Sequence, residues 1–292
     1  MMNYITKIQS RVNILAKKKT GNLFDGSYKS VYTGNGFDFE NLREYVPGDN
    51  VRDIDWKASA RSKNLLIKQY IAEKKHNILL VFDTGKGFLA DSDTGETKRN
   101  IALNAGGTFA YLSAQNGDNI GALYNRNGLI QFFPLRTGLP NLERIMTAYD
   151  KEDFSGYDSD LNKTLDYVVR NISKRSILFV VTDAAGIYKI PEITLRRLAF
   201  KHDVLFISIT DAPLCGADTY SVSKNLYISE YISKNKQLQD TEQQLRLHIS
   251  SSNSKKLIKH SVISTEIGSE NDIVNKIMEL LERHKYATIH NR

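Results

Sequence analysis

The stretch "NILLVFDTGKGFLA", residues 77–90, decides the fold. Its first part is apolar without alternation, as in a strand covered on both faces at the middle of a parallel sheet. The glycine-rich turn after it sets Asp83 at the carboxyl end of that strand, the edge where open α/β sheets gather their binding loops. Two later runs end the same way: "SILFVVTD" closes on Asp183 and "DVLFISITD" on Asp211. Helical spacing separates them, over Glu96–Gln115 (Ile101, Leu103, Ala105, Phe109 and Leu112), Gly138–Tyr149, Leu161–Ile172 and Pro191–Lys201. "NIGALYN" and "LIQFFPL", parted by Arg126–Gly128, read as a hairpin. The alternation predicts an α/β fold, a Rossmann-like, mostly parallel sheet with helices on both faces.

Outward from this centre the signals weaken. Residues 2–19 carry Ile5, Ile8, Val12, Leu15 and Ala16 at helical spacing, an amphipathic helix. Residues 20–36 are rich in turn formers, and "LLIKQYI", residues 65–71, alternates like a half-exposed strand, so a small β-rich segment is expected before the sheet. The expected organisation is residues 1–76 packed on a main domain of residues 77–292, one unit in all. In the tail, "NLYISEYI" and "HSVIST" are strand-like, and Asp240–Ser251 and Asp272–His284 helical.

Composition narrows the class. With 41% hydrophobic and 25% charged residues the chain can bury a core, and no apolar run approaches the roughly 20 residues that span a bilayer. The first residues lack the pattern of a secretory leader, and a lone cysteine, Cys215, cannot close an internal disulfide. A cytoplasmic protein is expected. Residues 1–80 hold 14 basic and 8 acidic residues, and that segment carries most of the +7 charge. The acids interleave with the bases, so no nucleic-acid partner is expected. Peripheral contact of residues 2–19 with anionic lipid stays open, although their apolar face has neither Trp nor Phe.

Phosphate binding by the opening loop fails on spacing. A P-loop needs a glycine five residues before its Gly-Lys pair and a hydroxyl after it, but those positions are Leu80 and Gly87. A hard divalent cation needs carboxylates and hydroxyls converging from several strand ends. Asp83, Ser159 and Asp183 could supply three such ligands, on the plan of the metal site of von Willebrand factor type A domains, where the first loop reads Asp-x-Ser-x-Ser. Here Gly85 and Gly87 replace both serines and Thr84 is one position out of register. The expectation is a degenerate site and no cofactor, with Mg2+ as the only candidate and Lys86 as an ammonium that could neutralise the acids in its place.

The most specific stretch is "GFDFENLREYVPGDNVRDIDWKASARSKNLLIKQY", residues 36–70, and within it the run from Leu42 to Arg61. It resembles the signature of the bacterial domain-of-unknown-function family numbered fifty-eight, L-R-x-Y-x-P-G-D-x-x-R-x-I-D-W-K-x-S-A-R. The resemblance runs over about residues 20–210, through the strand of Asp83, the Ser159-Asp160-Leu161 turn and the "TDAAG" loop. It implies a von Willebrand factor A-like domain without catalytic activity, a protein-interaction module and adaptor for a MoxR-type AAA+ ATPase, genes for which often neighbour those of the family. Many members carry two N-terminal membrane helices, which are not expected here. The competing expectation from the residues is a metal-dependent hydrolase using Asp83, Asp183 and Asp211.

Within the signature, Pro47-Gly48-Asp49 reads as a turn. Arg43, Tyr45, Asp49, Arg52, Asp55, Trp56, Lys57 and Arg61 stand as candidate binding residues. They read either as an internal ion-pair network around a buried Trp56 or as an exposed surface anchored by Trp56 and Arg61. Burial is the expectation, because Ile54 and Trp56 favour it.

Overall fold

The computed structural model describes residues 4–18, 38–49, 51, 54–62, 64–71, 75–213, 220–221, 226–227 and 235–290. Arg52, Asp53, Cys215 and the turn-rich residues 20–36 lie outside the described residues. The chain divides into two units, residues 32–75 on the one hand and residues 1–31 with 76–292 on the other. The amphipathic helix expected near the start is α1 (Tyr4–Lys18), and it belongs to the larger unit.

The smaller unit is a hairpin with a helix in its connection: β1 (Asp38–Glu44), α2 (Trp56–Ser62) and β2 (Leu66–Ile71). The strands pair antiparallel, Glu44 opposite Leu66, with a bulge between Phe39 and Asn41. The turn expected at Pro47-Gly48-Asp49 is present: Asp49 N–H donates to the Val46 carbonyl at 3.1 Å and Gly48 takes φ +110°. That conformation suits glycine after proline in a type II turn. Sequence periodicity gave no sign of α2, whose start depends on a cap. The Asp55 carboxylate accepts from Ala58 N–H at 3.0 Å.

The larger unit continues with β3 (Asn77–Phe82), one 3-10 turn (Lys86–Leu89), α3 (Lys98–Gln115), β4 (Asn119–Arg126), β5 (Leu129–Arg136), α4 (Leu139–Asp150), α5 (Leu161–Asn171), β6 (Ile177–Asp183), α6 (Ala184–Lys189), α7 (Glu192–Lys201) and β7 (Asp203–Ile209). Short β8 (Tyr220–Ser221) and β9 (Leu226–Tyr227) follow, then α8 (Lys236–Lys259), β10 (Ile263–Ile267) and α9 (Ile273–His290). The sheet order is β10-β7-β6-β3-β4-β5, parallel throughout except for β5, which returns antiparallel to β4. The hairpin turn has Asn127 and Gly128 both at positive φ, the geometry that matches strand twist. The tail differs from expectation in extent: α8 starts four residues earlier than Asp240 and runs to Lys259, because Asn235 caps it by accepting from Gln237 and Leu238 N–H. Six-residue α6 carried no periodic signal; it is started by Asp183, which accepts from Gly186 N–H at 2.7 Å.

The strand at the centre is buried on both faces, as its composition requires. Leu79 and Val81 join Leu178, Val180, Val204 and Phe206 in one core under α5, α6, α7 and α8, with Leu165, Ile187, Leu198 and Leu257 supplied by the helices. On the other face Phe179 stacks on Phe109 of α3, ring centroids 4.1 Å apart. Helix α3 is sunk between the sheet and α1, α4 and α9, so almost all of it from Ile101 to Ser113 is buried. Its two glycines permit this. A Cβ on Gly106 would stand 2.4 Å from the Phe82 ring, and one on Gly107 2.4 Å from Met146 Cε and 2.6 Å from Ile8. Glycine inside a helix costs about 1 kcal/mol against alanine, a loss the closer packing offsets. Among the described residues no helix is long and apolar enough to cross a membrane.

Candidate functional site

Adjacent strands β3, β6 and β7 deliver Asp83, Asp183 and Asp211 to the carboxyl edge of the sheet. Their roles there differ. Asp83 is buried, and its main chain continues the sheet by donating to the Val181 carbonyl at 2.9 Å. One carboxylate oxygen accepts from Thr84 N–H at 2.9 Å and from the Ser159 hydroxyl; the other accepts from the Thr182 hydroxyl at 2.6 Å. Ser159, the second-loop hydroxyl of the resemblance, thus bonds Asp83 itself. Behind them the buried Tyr149 hydroxyl donates to the Asp83 carbonyl at 3.2 Å.

The cation among these acids is Lys98, not Lys86. Its Nζ donates to Asp183 Oδ2 at 2.7 Å and to Asp211 Oδ1, and lies 5.3 Å from the centre of the Phe88 ring. Its side chain is 3% exposed, Asp183 14% and Asp211 35%, so the ammonium is sealed and the carboxylates face outward. Burial works against the charged lysine, but the two carboxylates overcome it and hold the ammonium above its ordinary value. Lys86 instead sits half-buried in the 3-10 turn, its N–H donating to the Tyr157 carbonyl at 2.9 Å. Lys98 was legible in principle. A helix after a parallel strand starts at the carboxyl edge and runs back from it, so the first residue of α3 stands at that edge.

Asp183 also caps α6, so both its oxygens are engaged. The structural preference of Asp for turns and caps and its approach to the other acids are satisfied together. The tail closes the edge from the far side. Arg246 of α8 donates to the carbonyls of Asp211 and Ala212 at 3.0 and 2.6 Å, and Asn253 to that of Ala184 at 2.8 Å.

Gly85 decides the first loop. It has φ +110°, and a Cβ there would stand 2.6 Å from Ser159 N and 2.8 Å from the Asp158 carbonyl carbon. The second loop lies directly against the first where a von Willebrand-type site has a serine. At Gly87 no atom lies within 4 Å of a Cβ. Gly186 is equally constrained, its Cβ position 2.0 Å from the Thr182 hydroxyl that serves Asp83.

Burial, and then the nearby Asp183 carboxylate, push the Asp83 carboxyl up to about 6 from an ordinary 3.8. A folded value above the unfolded one means stability fully present below pH 3.8 and lost as pH rises through 6. The two-unit gap corresponds to about 3 kcal/mol. Asp83→Asn cannot ionise, and its amide can donate to the Thr182 hydroxyl. Its stability relative to the unaltered chain therefore rises by about 2 kcal/mol between pH 4 and pH 7, most of the full span. Urea unfolding of both chains at pH 4, 5, 6 and 7 measures this; parallel curves would show that Asp83 titrates normally.

The signature residues separate into two groups. Arg43 forms a fork with Asp49, at 2.7 and 2.8 Å, and Asp49 also accepts from Val46 N–H at 3.0 Å. Tyr45 is half-buried and its N–H extends the hairpin to the Leu65 carbonyl at 2.8 Å. Asp55 caps α2 and meets Lys68 at 3.5 Å. These form the internal brace. Ile54 is buried as expected, whereas Trp56 is not: it is 64% exposed. Lys57 and Arg61 are exposed beside it, without an ion pair among the described residues. The expectation of a buried tryptophan fails because α2 turns Ser59 inward, where its hydroxyl accepts from Leu66 N–H at 2.8 Å.

The chain is 27% identical to the Uncharacterized protein Rv1480 of Mycobacterium tuberculosis over 205 residues, 68% of this chain and 63% of that one. The same values hold for the Uncharacterized protein Mb1516 of Mycobacterium bovis, so the chain spans about 63% of the length of these curated relatives. Among solved structures it is similar to the hypothetical protein BatB of Bacteroides thetaiotaomicron, with TM-score 0.45 and 11% identity over 72% of this chain and 99% of that one. It is also similar to a von Willebrand factor type A protein of Catenulispora acidiphila, with TM-score 0.41 and 12% identity over 74% and 44%. The family described as "Protein of unknown function DUF58" matches residues 41–213, which take in the signature run of residues 42–61 and the three strand-end acids. With more than half of its residues inside that match, the chain belongs to this family.

Proposed function

We propose that this chain is a non-enzymatic protein-docking module whose metal-ion site is degenerate, and that it serves as an adaptor for a MoxR-type AAA+ ATPase. The observation that carries the reading is the Lys98 ammonium between Asp183 and Asp211. It supplies at the sheet edge the positive charge that a divalent ion supplies in a von Willebrand-type site. The donor set speaks against such an ion. Both oxygens of Asp83 are taken by two hydroxyls and an amide, and Gly85 has no room for the serine hydroxyl. Among the described residues no three acid, histidine or cysteine side chains are grouped to hold a metal. The ATPase partner class is carried by the family resemblance.

Two measurements test the proposal. Calorimetric titration of the purified chain with Mg2+ and Mn2+ gives no saturable binding; tight binding lost in Asp83→Ala would restore the metal-dependent hydrolase reading. Mixed with the purified MoxR-type ATPase of its own genome, the chain co-elutes with it in gel filtration. Separate elution together with an unchanged ATPase rate would remove the adaptor assignment.

A further inference from the structure

The signature unit leaves unsatisfied apolar surface and unsatisfied charge at one place. On α2, Trp56 and Ala60 are one turn apart, as are Lys57 and Arg61, and all four are exposed. Residues so spaced share a helix face, so Trp56 with Ala60 forms an exposed apolar stripe and Lys57 with Arg61 a cationic one, the two stripes about 100° apart around the same exposed helix. Val46, Val51 and Leu65 of the same unit are exposed by 56%, 57% and 48%. Tyr45 N–H bonded to the Leu65 carbonyl keeps Leu65 near Val46, and Ile54 N–H bonded to the Val51 carbonyl at 3.3 Å keeps Val51 near the start of α2. Three acids of the unit are engaged elsewhere among the described residues. Asp49 is taken by Arg43, Asp55 by the α2 cap and Lys68, and Glu44 by Asn64 at 2.6 Å. Lys57 and Arg61 are therefore cations with no local counter-charge among the described residues, next to the chain's only tryptophan.

We infer that this α2 face docks an acidic segment of a protein partner, with Trp56 inserted into an apolar pocket of that partner and Lys57 and Arg61 meeting its carboxylates. Tryptophan and arginine are the side chains that dominate interface energetics when buried. The observations favour a protein over a membrane or nucleic acid. Residues 32–75 hold eight basic and seven acidic residues, so a continuous sheet of phosphates meets a nearly neutral unit and gains little. A localised pair of carboxylates matches the local pair of cations. The inference rests on the reading of the chain as an interaction module but uses a surface other than the sheet edge, so it can fail while co-elution with the ATPase succeeds.

Trp56 emission reports on its own face, because no second tryptophan contributes. The probe is a synthetic 16-residue helical peptide presenting glutamates one turn apart around a Leu-Phe pair, titrated into the full chain at 50 mM and at 500 mM salt. The expected result is a saturable blue shift, with affinity weakened about tenfold at the higher salt. The shift disappears in Lys57→Glu/Arg61→Glu, which keeps the circular dichroism of the unaltered chain. It returns when that variant meets the same peptide with lysines for glutamates. No shift with the acidic peptide, or an equal shift in the charge-reversed variant, overturns the inference. So does a shift produced by phosphatidylglycerol vesicles or a single-stranded oligonucleotide but not by the peptide, which would assign the face to lipid or nucleic acid.

Discussion

Lys98→Met lowers the unfolding free energy by about 3 kcal/mol at pH 7, the lower part of the range for removing one partner of a buried ion pair. The ammonium is sealed at 3% exposure and holds two carboxylates from different strands. Methionine fills its volume, so the loss is electrostatic and not a cavity. Asp183 keeps its cap to Gly186 N–H, and Asp211, 35% exposed, regains some hydration, which places the loss at the lower end. The sign with pH follows from what is stranded. Without the lysine, two neighbouring carboxylates repel, and they are relieved by taking up protons in the folded state. The deficit therefore shrinks as pH falls towards 4 and is full at neutrality. Adding Asp183→Asn and Asp211→Asn to the methionine variant recovers most of it, because the repelling charges are gone. Chemical denaturation of the three chains at pH 4 and pH 7 decides the matter. A methionine variant within about 0.5 kcal/mol of the unaltered chain at both values would show that the ammonium is incidental to the edge.

Gly85→Ser, the substitution that nominally restores the missing hydroxyl ligand, costs about 4 kcal/mol and creates no metal site. Two effects add. At φ +110° and ψ 179° the residue lies in a region essentially confined to glycine, a strain of about 1–3 kcal/mol for any side chain. The new Cβ also meets backbone, Ser159 N at 2.6 Å and the Asp158 carbonyl carbon at 2.8 Å, which no rotamer change relieves. The second loop has to move away, and the bonds from Lys86 N–H to Tyr157 and from Ser159 to Asp83 go with it. Gly87→Ser is the internal control: open space surrounds that position, and its stability stays within about 0.5 kcal/mol. Thermal unfolding of the two variants, each also titrated with Mg2+, tests the claim. A Gly85→Ser chain of normal stability that gained saturable Mg2+ binding would mean that the loops separate easily and that the site is merely unused.

These two residues also mark where the sequence stops being informative. Glycine at 85 and 87 looked alike along the chain, two absent ligands, and only the packing of residues 157–159 shows that one is sterically required and the other free. Lys86 is the lysine nearest Asp83 along the chain, yet the neutralising group is Lys98, placed at the edge by the start of α3. Trp56 was expected inside on hydrophobicity, and the register of one short helix, set by the Asp55 cap and the inward Ser59, turned it out.

By itself the sequence determined the alternation of buried strands and helices, the hairpin at Asn127-Gly128 and the three acids at one edge. Those are consequences of local propensity and of apolar periodicity, which act over a few residues at a time. Tertiary structure alone decided which lysine sits among the acids, which glycine is irreplaceable and which face of the signature unit is exposed. Each of these depends on the distance between segments remote in the chain, and a distance of that kind is fixed only when the whole core packs.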